Sequence, residues 1–206
     1  MTYSFLDIAR TPSVIAAQTA NGSAALYGRP DIPRDFTAFT PSEVEFITQR
    51  DSFYLATVSE TGWPYVQHRG GPKGFLRVLD DSTLGFADFR GNRQYISLGN
   101  ASVNSRVSLF LMDYPNRRRL KIYATMETRP LEGNDALADA LASPGYKAKA
   151  ERAILFHLEA FDWNCPQHIT PRFSEAELAH ALEPLRLRMD QLEAENAGLR
   201  ERLAQV

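Results

Sequence analysis

Cysteine is almost missing from this sequence: Cys165 stands alone among 206 residues. A disulfide framework within one chain needs at least two cysteines, so the fold must rest on apolar packing; a reducing cytosol permits this composition, and a cytoplasmic location is expected. Charge of one sign is scarce too, with 23 Lys and Arg against 25 Asp and Glu, a formal net charge of -2. The overall field therefore attracts neither nucleic acid nor an anionic membrane surface, and any anion site must be local. No apolar run approaches the ~20 residues of a membrane span, and the opening MTYSFLDIAR lacks the basic and apolar regions of a secretory leader. Neither a Gly-x-Gly-x-x-Gly fingerprint nor a Walker Gly-Lys-Ser/Thr occurs, so a nicotinamide donor would have no dedicated domain. With one cysteine and histidines only at 68, 157, 168 and 180, no zinc motif is assembled and no metal is expected. Cys165 and His168 in NCPQHITPRF invite a nucleophile, but nothing in the sequence activates the thiol; a small buried cysteine before a proline turn is the plainer alternative.

What is present is 44% hydrophobic residues, enough for one compact domain with an appendage. Residues 1–39 are mixed: small residues (AAQTANGSAALYG) precede Pro30 and Pro33, which suggests a short helix and an irregular arm. In FTPSEVEFITQRD, Thr40, Pro41 and Glu43 supply an N-cap, a proline at the first helical position and a capping-box glutamate, so a short helix begins there. From Phe53 the pattern alternates with period two in FYLATVSETG, WPYVQHRGG, GFLRVLDDSTLGFADF, RVSLFLMDYP and RRLKIYATMETRPL, broken by turn signals such as Asp80-Asp81-Ser82. Five or six strands at hairpin spacing predict a mainly β fold with peripheral helices, an antiparallel barrel or sandwich. Residues 133–149 read as a helix broken at Pro144-Gly145, and AILFHLEAFDWN as a last alternating strand.

The stretch FADFRGNRQYISLGN gathers Arg90, Gly91, Asn92, Arg93 and Gln94 where a strand ends. Guanidinium forks answer phosphate oxygens with paired, charge-assisted hydrogen bonds; Gly91 lets the backbone approach, and Asn92 and Gln94 add uncharged donors. Solvated turn charge is the competing account of these arginines.

The order ATVSETGWPYVQ, GFLRVLD and LGFADFRGNRQYISLGNASVNSRVSLFLMDYPNRRRLKIYATM resembles the FMN-binding split barrel of the pyridoxamine 5'-phosphate oxidase family, in particular its oxidase-related flavin-nucleotide-binding branch, to which NCPQHI also points. The likeness spans Phe39 to Phe173 and implies an antiparallel split barrel that binds FMN. The family's small polar residue, arginine and lysine of the phosphate turn fall on Asn92, Arg93 and Gln94, with the lysine replaced. The resemblance places Arg69 and Lys73 of HRGGPKGFLR along the flavin and its ribityl chain, with Gly70 and Gly71 offering backbone amides to the ring; those glycines also fit a simple bulge. Arg118, Arg119 and Lys121 open another strand that approaches the cofactor in the family, with Arg119 taken as the candidate; hairpin charge over Arg117 to Arg119 is the alternative. Gln167 and His168 are implied to reach the flavin from a second subunit, in a homodimer with sites at the interface. An FMN-dependent oxidoreductase acting on a small-molecule substrate or electron donor follows, although no general acid is identifiable. The Arg-Leu-His-x-Arg substrate motif of the vitamin B6 oxidase is lacking, so that oxidase itself is not expected. A non-catalytic flavin- or haem-binding module is the alternative.

The tail, residues 174–206, is a separate element after the barrel domain of residues 40–173. Ser174 and Glu177 form a capping box. Leu182, Met189, Asn196 and Leu203 fall at heptad position a and Leu185, Leu192 and Leu199 at d, flanked by Arg186, Arg188, Glu193, Glu195, Arg200 and Arg202. That pattern predicts a short parallel coiled coil, with Asn196 setting the register and Pro184 bending or restarting the helix near Leu185; an amphipathic helix packed on the barrel is the alternative.

Overall fold

A computed structural model describes residues 4–27, 38–163 and 166–205 of the chain. Cys165 and the prolines at 30 and 33 lie outside the described residues. Three helices open the chain: α1 (Phe5–Ala9), α2 (Pro12–Ala20) and α3 (Ala24–Tyr27). The expected single helix is corrected because two capping signals act separately. The Ser4 hydroxyl and the Asp7 carboxylate cap each other's backbone N–H groups, and Thr11 with Pro12 starts a second helix. Gly22, at φ 71°, follows the end of α2, a conformation glycine adopts without steric cost.

Helix α4 (Pro41–Thr48) starts where the sequence places it. Its capping glutamate Glu43 is 4% exposed, yet it accepts hydrogen bonds from the Thr40 backbone and hydroxyl and from the Trp163 indole N–H. A buried carboxylate is tolerable only with such partners; the two from Thr40 cap α4, and the one from Trp163 ties it to the last residue of strand 150–163.

The strands are β1 (Ser52–Val58), β2 (Pro64–Gly70), β3 (Arg77–Val78) and β4 (Thr83–Phe89), then helix α5 (Ile96–Val103), β5 (Arg106–Asp113), β6 (Arg118–Arg129), helix α6 (Asp135–Ala140) and β7 (Ala150–Trp163). They form one antiparallel sheet in the order β2-β1-β5-β6-β7-β4-β3, a split barrel carrying peripheral helices. Seven strands rather than five or six arise because Gly74 to Phe89 divides: Asp80 accepts the Ser82 N–H at 2.9 Å and turns the chain between the two-residue β3 and β4.

Alternation decides the inner face. Phe53, Leu55 and Thr57 of β1, Val107, Leu109 and Leu111 of β5, and Leu120, Ile122 and Ala124 of β6 point into one core. At its centre Phe53 stacks on Phe75 and meets Phe86 and Phe156 edge-on, with ring centroids 5.6 to 6.0 Å apart. Strand β7 breaks the simple alternation: Ile154, Leu155 and Phe156 are buried in succession. Both its faces are covered, since Phe156 joins the central core while Ala153 packs with Ala87 and Leu141 in a second cluster. Helix α6 is only six residues, so the expected broken helix over residues 133–149 is mostly turn and irregular chain. On the outer face, Phe5 of α1 stacks on Tyr123 of β6 with centroids 4.5 Å apart.

Two compact units result. One comprises Met1–Asp113 and Arg118–Gln167; the other comprises Tyr114–Arg117 and His168–Val206. The second unit carries helix α7 (Glu175–Ala204), which starts at the Ser174–Glu177 capping box and runs unbroken through Pro184. Of the expected bend or restart at the proline, the restart does not occur.

Candidate functional site

The sheet register brings three segments together. Arg69 lies opposite Phe53, so it shares the inner face, where its guanidinium stands 5.8 Å from the centroid of the Phe86 ring. Strand β4 pairs with β7 so that Asp88 lies opposite Arg152. After β4 the chain turns sharply and enters α5, which is docked by two side-chain hydrogen bonds: Ser97 Oγ donates to Gln67 at 2.8 Å and Asn100 Nδ2 donates to Thr57 Oγ1 at 3.0 Å. Between these elements lies a cleft of about 210 Å³, lined among others by Arg69, Asp88, Gly91, Asn92, Arg93 and Tyr95.

The turn is strained in a specific way. Arg93 and Tyr95 have φ values of 62° and 52°, in the left-handed region that non-glycine residues rarely occupy. Asn92 holds the turn: its Oδ1 accepts the Gln94 N–H at 3.1 Å and its Nδ2 donates to Gln94 Oε1 at 3.2 Å. Tyr95 is the N-cap of α5 and provides no side-chain cap, so among the described residues the N–H groups of the first helical turn have no capping acceptor. An uncapped helix start with its positive dipole end is suited to an anion.

The charges around the cleft are uneven. Arg69 Nη1 donates to Asp88 Oδ1 at 2.8 Å, and Arg152 lies 3.9 Å from the other Asp88 oxygen. Arg152 also reaches Glu151 at 3.2 Å, and Glu151 is 3.6 Å from Arg90 and accepts the Tyr95 hydroxyl at 3.0 Å. Arg93 is exposed and, among the described residues, its side chain makes no hydrogen bond or ion pair. Four guanidiniums thus surround two carboxylates, leaving two positive charges in excess. Burial pushes the Asp88 carboxyl above its ordinary value of 3.8, against the opposing pull of Arg69 and Arg152. Arg69 Nε is buried and has no partner among the described residues. A Cβ added at Gly91 would touch nothing, so no neighbour within the chain requires glycine there. An orphaned guanidinium N–H, an uncapped helix and an open glycine all fit a dianionic phosphate.

A family model described as pyridoxamine 5'-phosphate oxidase matches residues 39–159, more than half of the chain. The chain belongs to the pyridoxamine 5'-phosphate oxidase family. Within that family's span lie the whole cleft and every strand of the barrel except the last residues of β7. The chain is also similar to three solved structures, each at a TM-score of 0.46. One is a putative pyridoxamine 5'-phosphate oxidase from Lactobacillus delbrueckii, with 24% identity over 61% of this chain and 94% of that one. Another is an FMN-binding protein from Syntrophomonas wolfei, with 16% identity over 59% and 83%. The third is HupZ from Group A Streptococcus, with 15% identity over 66% and 100%. No curated protein matches the chain.

Of the residues the resemblance singles out, Arg69, Asn92 and Arg93 line the cleft, and Gln94 is bonded to Asn92 beside it. Gly70 and Gly71 sit where β2 ends. The Gly71 N–H donates to Asp51 O at 2.9 Å, so this amide is engaged rather than offered to a ring. A Cβ at Gly71 would lie 2.6 Å from Phe75 Cγ; close packing explains this glycine. Lys73 is exposed on the following turn and Arg119 lies on β6 opposite Met112; neither lines the cleft. Gln167 and His168 are exposed, His168 with a left-handed φ of 62°. Sequence reasoning missed Asp88, Tyr95, Glu151 and Arg152. A signal existed for Asp88, a carboxylate between Phe86 and Phe89 in an otherwise apolar strand; Arg152 and Glu151 become relevant only through the β4–β7 pairing.

Proposed function

We propose that this protein binds FMN, with the phosphate held in the cleft by Arg93, Arg69 Nε and the first turn of α5, and that it works as a flavin-dependent oxidoreductase. The single observation that carries this is the buried, unpartnered Arg69 Nε beside an uncapped helix start, in a member of the pyridoxamine 5'-phosphate oxidase family. Asp88 holds Arg69 by one amino group and leaves the Nε–H without an acceptor of its own. The bound flavin would supply the redox chemistry, and this chain's residues position it and set the charge around it.

The cleft's 210 Å³ is below the ~300 Å³ at which pockets begin to enclose a drug-sized ligand. It suits the phosphate end of FMN, and the ring system must extend beyond it. A homodimer in which a second subunit completes the ring's surroundings accounts for this, with Gln167 and His168 as the contributed residues. Cofactor chemistry tests the assignment directly. The absorbance and mass spectrum of the cofactor released from purified protein should be those of FMN, and apoprotein should bind FMN far more tightly than riboflavin, which lacks the phosphate. Equal affinity for the two would overturn the phosphate assignment. Oxidation of NADH or NADPH by the loaded protein would separate an enzyme from a flavin-binding module.

A further inference from the structure

Helix α7 spans thirty residues, about 45 Å at 1.5 Å per residue, and buries none of them. A helix in a folded protein draws most of its stability from packing an apolar face, so one with nothing buried lacks the usual source of support. Apart from Leu187, its large apolar side chains are not scattered. Leu178, Leu185, Leu192 and Leu199 occupy one heptad position, d, and Leu182, Met189 and Leu203 occupy the other, a, with Asn196 as the only polar member of the a set. The alternating spacings of four and three run without a slip from Leu178 to Leu203, and every apolar member is at least 41% exposed. The helix does not stop at Pro184, and that proline occupies heptad position c, outside the seam. The seam therefore begins a turn earlier than Leu182.

We infer that this seam is the self-recognition surface of α7, occupied by α7 of a second copy in a parallel, in-register, two-stranded coiled coil. The charges beside the seam argue for a second copy. Arg188 and Glu195 take position g, and Glu193 and Arg200 take position e. On a helix, an ion pair forms between residues three or four apart. At those distances Arg188 finds Pro184, Leu185, Gln191 and Leu192, and Glu195 finds Gln191, Leu192, Gly198 and Leu199. Glu193 finds Met189, Asp190, Asn196 and Ala197, and Arg200 finds Asn196, Ala197, Leu203 and Ala204. None of the four can pair within its own helix, and none makes an ion pair among the described residues. In a parallel dimer each g side chain faces the next e side chain of the other strand. Arg188 then meets the partner's Glu193, and Glu195 meets the partner's Arg200, each pair occurring twice by symmetry.

Charge does not by itself choose the direction. An antiparallel register also pairs opposite charges, Arg188 with the partner's Glu195 and Arg186 with the partner's Glu193. Asn196 makes the choice. Antiparallel packing seats its amide against the partner's Leu185, where it has no hydrogen-bonding mate. Parallel, in-register packing brings the two Asn196 amides together across the axis, the arrangement by which a polar a position selects two strands and one register. The inference stands apart from the flavin assignment, because every residue it uses lies on α7.

Cysteine crosslinking of the full chain tests it, starting from Cys165→Ser so that only engineered thiols react. In that background Leu199→Cys should form a disulfide-linked dimer under mild oxidation at micromolar concentration. Leu187→Cys, on the outside of the coil, should crosslink at least tenfold more slowly. Crosslinking only when Leu182→Cys and Leu199→Cys are combined would show an antiparallel pair and overturn the assignment of direction. Equal rates for Leu199→Cys and Leu187→Cys, or no dimer from any of them, would overturn the coiled coil. Flavin content should be the same in all these variants, so loss of the tail contact and loss of the cofactor are read separately.

Discussion

Arg69 and Asp88 form a hydrogen-bonded ion pair of 2.8 Å at the floor of the cleft, with side chains 16% and 8% exposed. The pair leaves Arg69 Nε unpartnered and carries a carboxyl raised above 3.8, chiefly by burial. In the pH range between 3.8 and that raised value, the folded state binds more protons at Asp88 than the unfolded state does. Stability from this group therefore falls as pH rises through the window and is regained on acidification. Relative to Asp88→Asn, which cannot titrate, the wild type should gain stability as pH drops from neutrality toward 3.8. Urea midpoints of both proteins across that range check this; a constant difference would refute it.

Arg93→Ala should weaken FMN binding by roughly 1.5–3 kcal/mol, the usual loss for a hydrogen bond to a charged group. Riboflavin affinity should hardly change, because the contact belongs to the phosphate. Paired titrations monitored by flavin fluorescence separate the two, and an unchanged FMN affinity would remove Arg93 from the site.

Two glycines should respond in opposite ways. Gly71→Ala forces a Cβ to within 2.6 Å of Phe75 and should cost about 1–3 kcal/mol of stability, the range for overpacking a well-filled site. Gly91→Ala meets open space and should leave the unfolding midpoint unchanged while weakening FMN. Thermal melts and flavin titration of the two variants read both effects.

Phe53→Ala should be the most damaging of these substitutions, at ~3–5 kcal/mol for deleting a buried aromatic. Phe53 is 1% exposed and touches the rings of Phe75, Phe86 and Phe156, so the hole cannot collapse without moving three strands or turns. Urea unfolding of the apoprotein measures it without interference from a cofactor.

Mixed dimers examine whether one site draws on two chains. Arg93→Ala subunits co-expressed with subunits carrying Gln167→Ala and His168→Ala should regain FMN binding in the heterodimer, at up to one intact site per dimer. Neither homodimer should bind comparably. Recovery of no binding would mean that the ring is completed by other residues.

The local elements were legible from neighbours in the chain. Thr40, Pro41 and Glu43 start α4 and Ser174 with Glu177 starts α7, because capping is settled within one turn of helix. Period-two alternation marked β1, β5 and β6 as strands with one buried face, and the structure buries alternate residues in each, since a strand has only two faces. That Arg93 belongs to a turn rich in donors was legible because Arg90 to Gln94 are five consecutive residues. Tertiary structure decided the rest. Strand β7 lost its alternation because a second cluster covers its other face, a fact that depends on where α6 packs. Asp88 and Arg152 are 64 positions apart, and only the register of β4 on β7 makes them neighbours. Gly71 read equally well as a ligand contact or a packing site until the Phe75 ring was seen 2.6 Å from its missing Cβ. The sequence by itself determined where α4, α7 and the alternating strands β1, β5 and β6 lie and which turn gathers Arg90 to Gln94, because those follow from residues a few positions apart. Only the folded sheet decided which distant charges share the cleft and which guanidinium nitrogen is left without a partner.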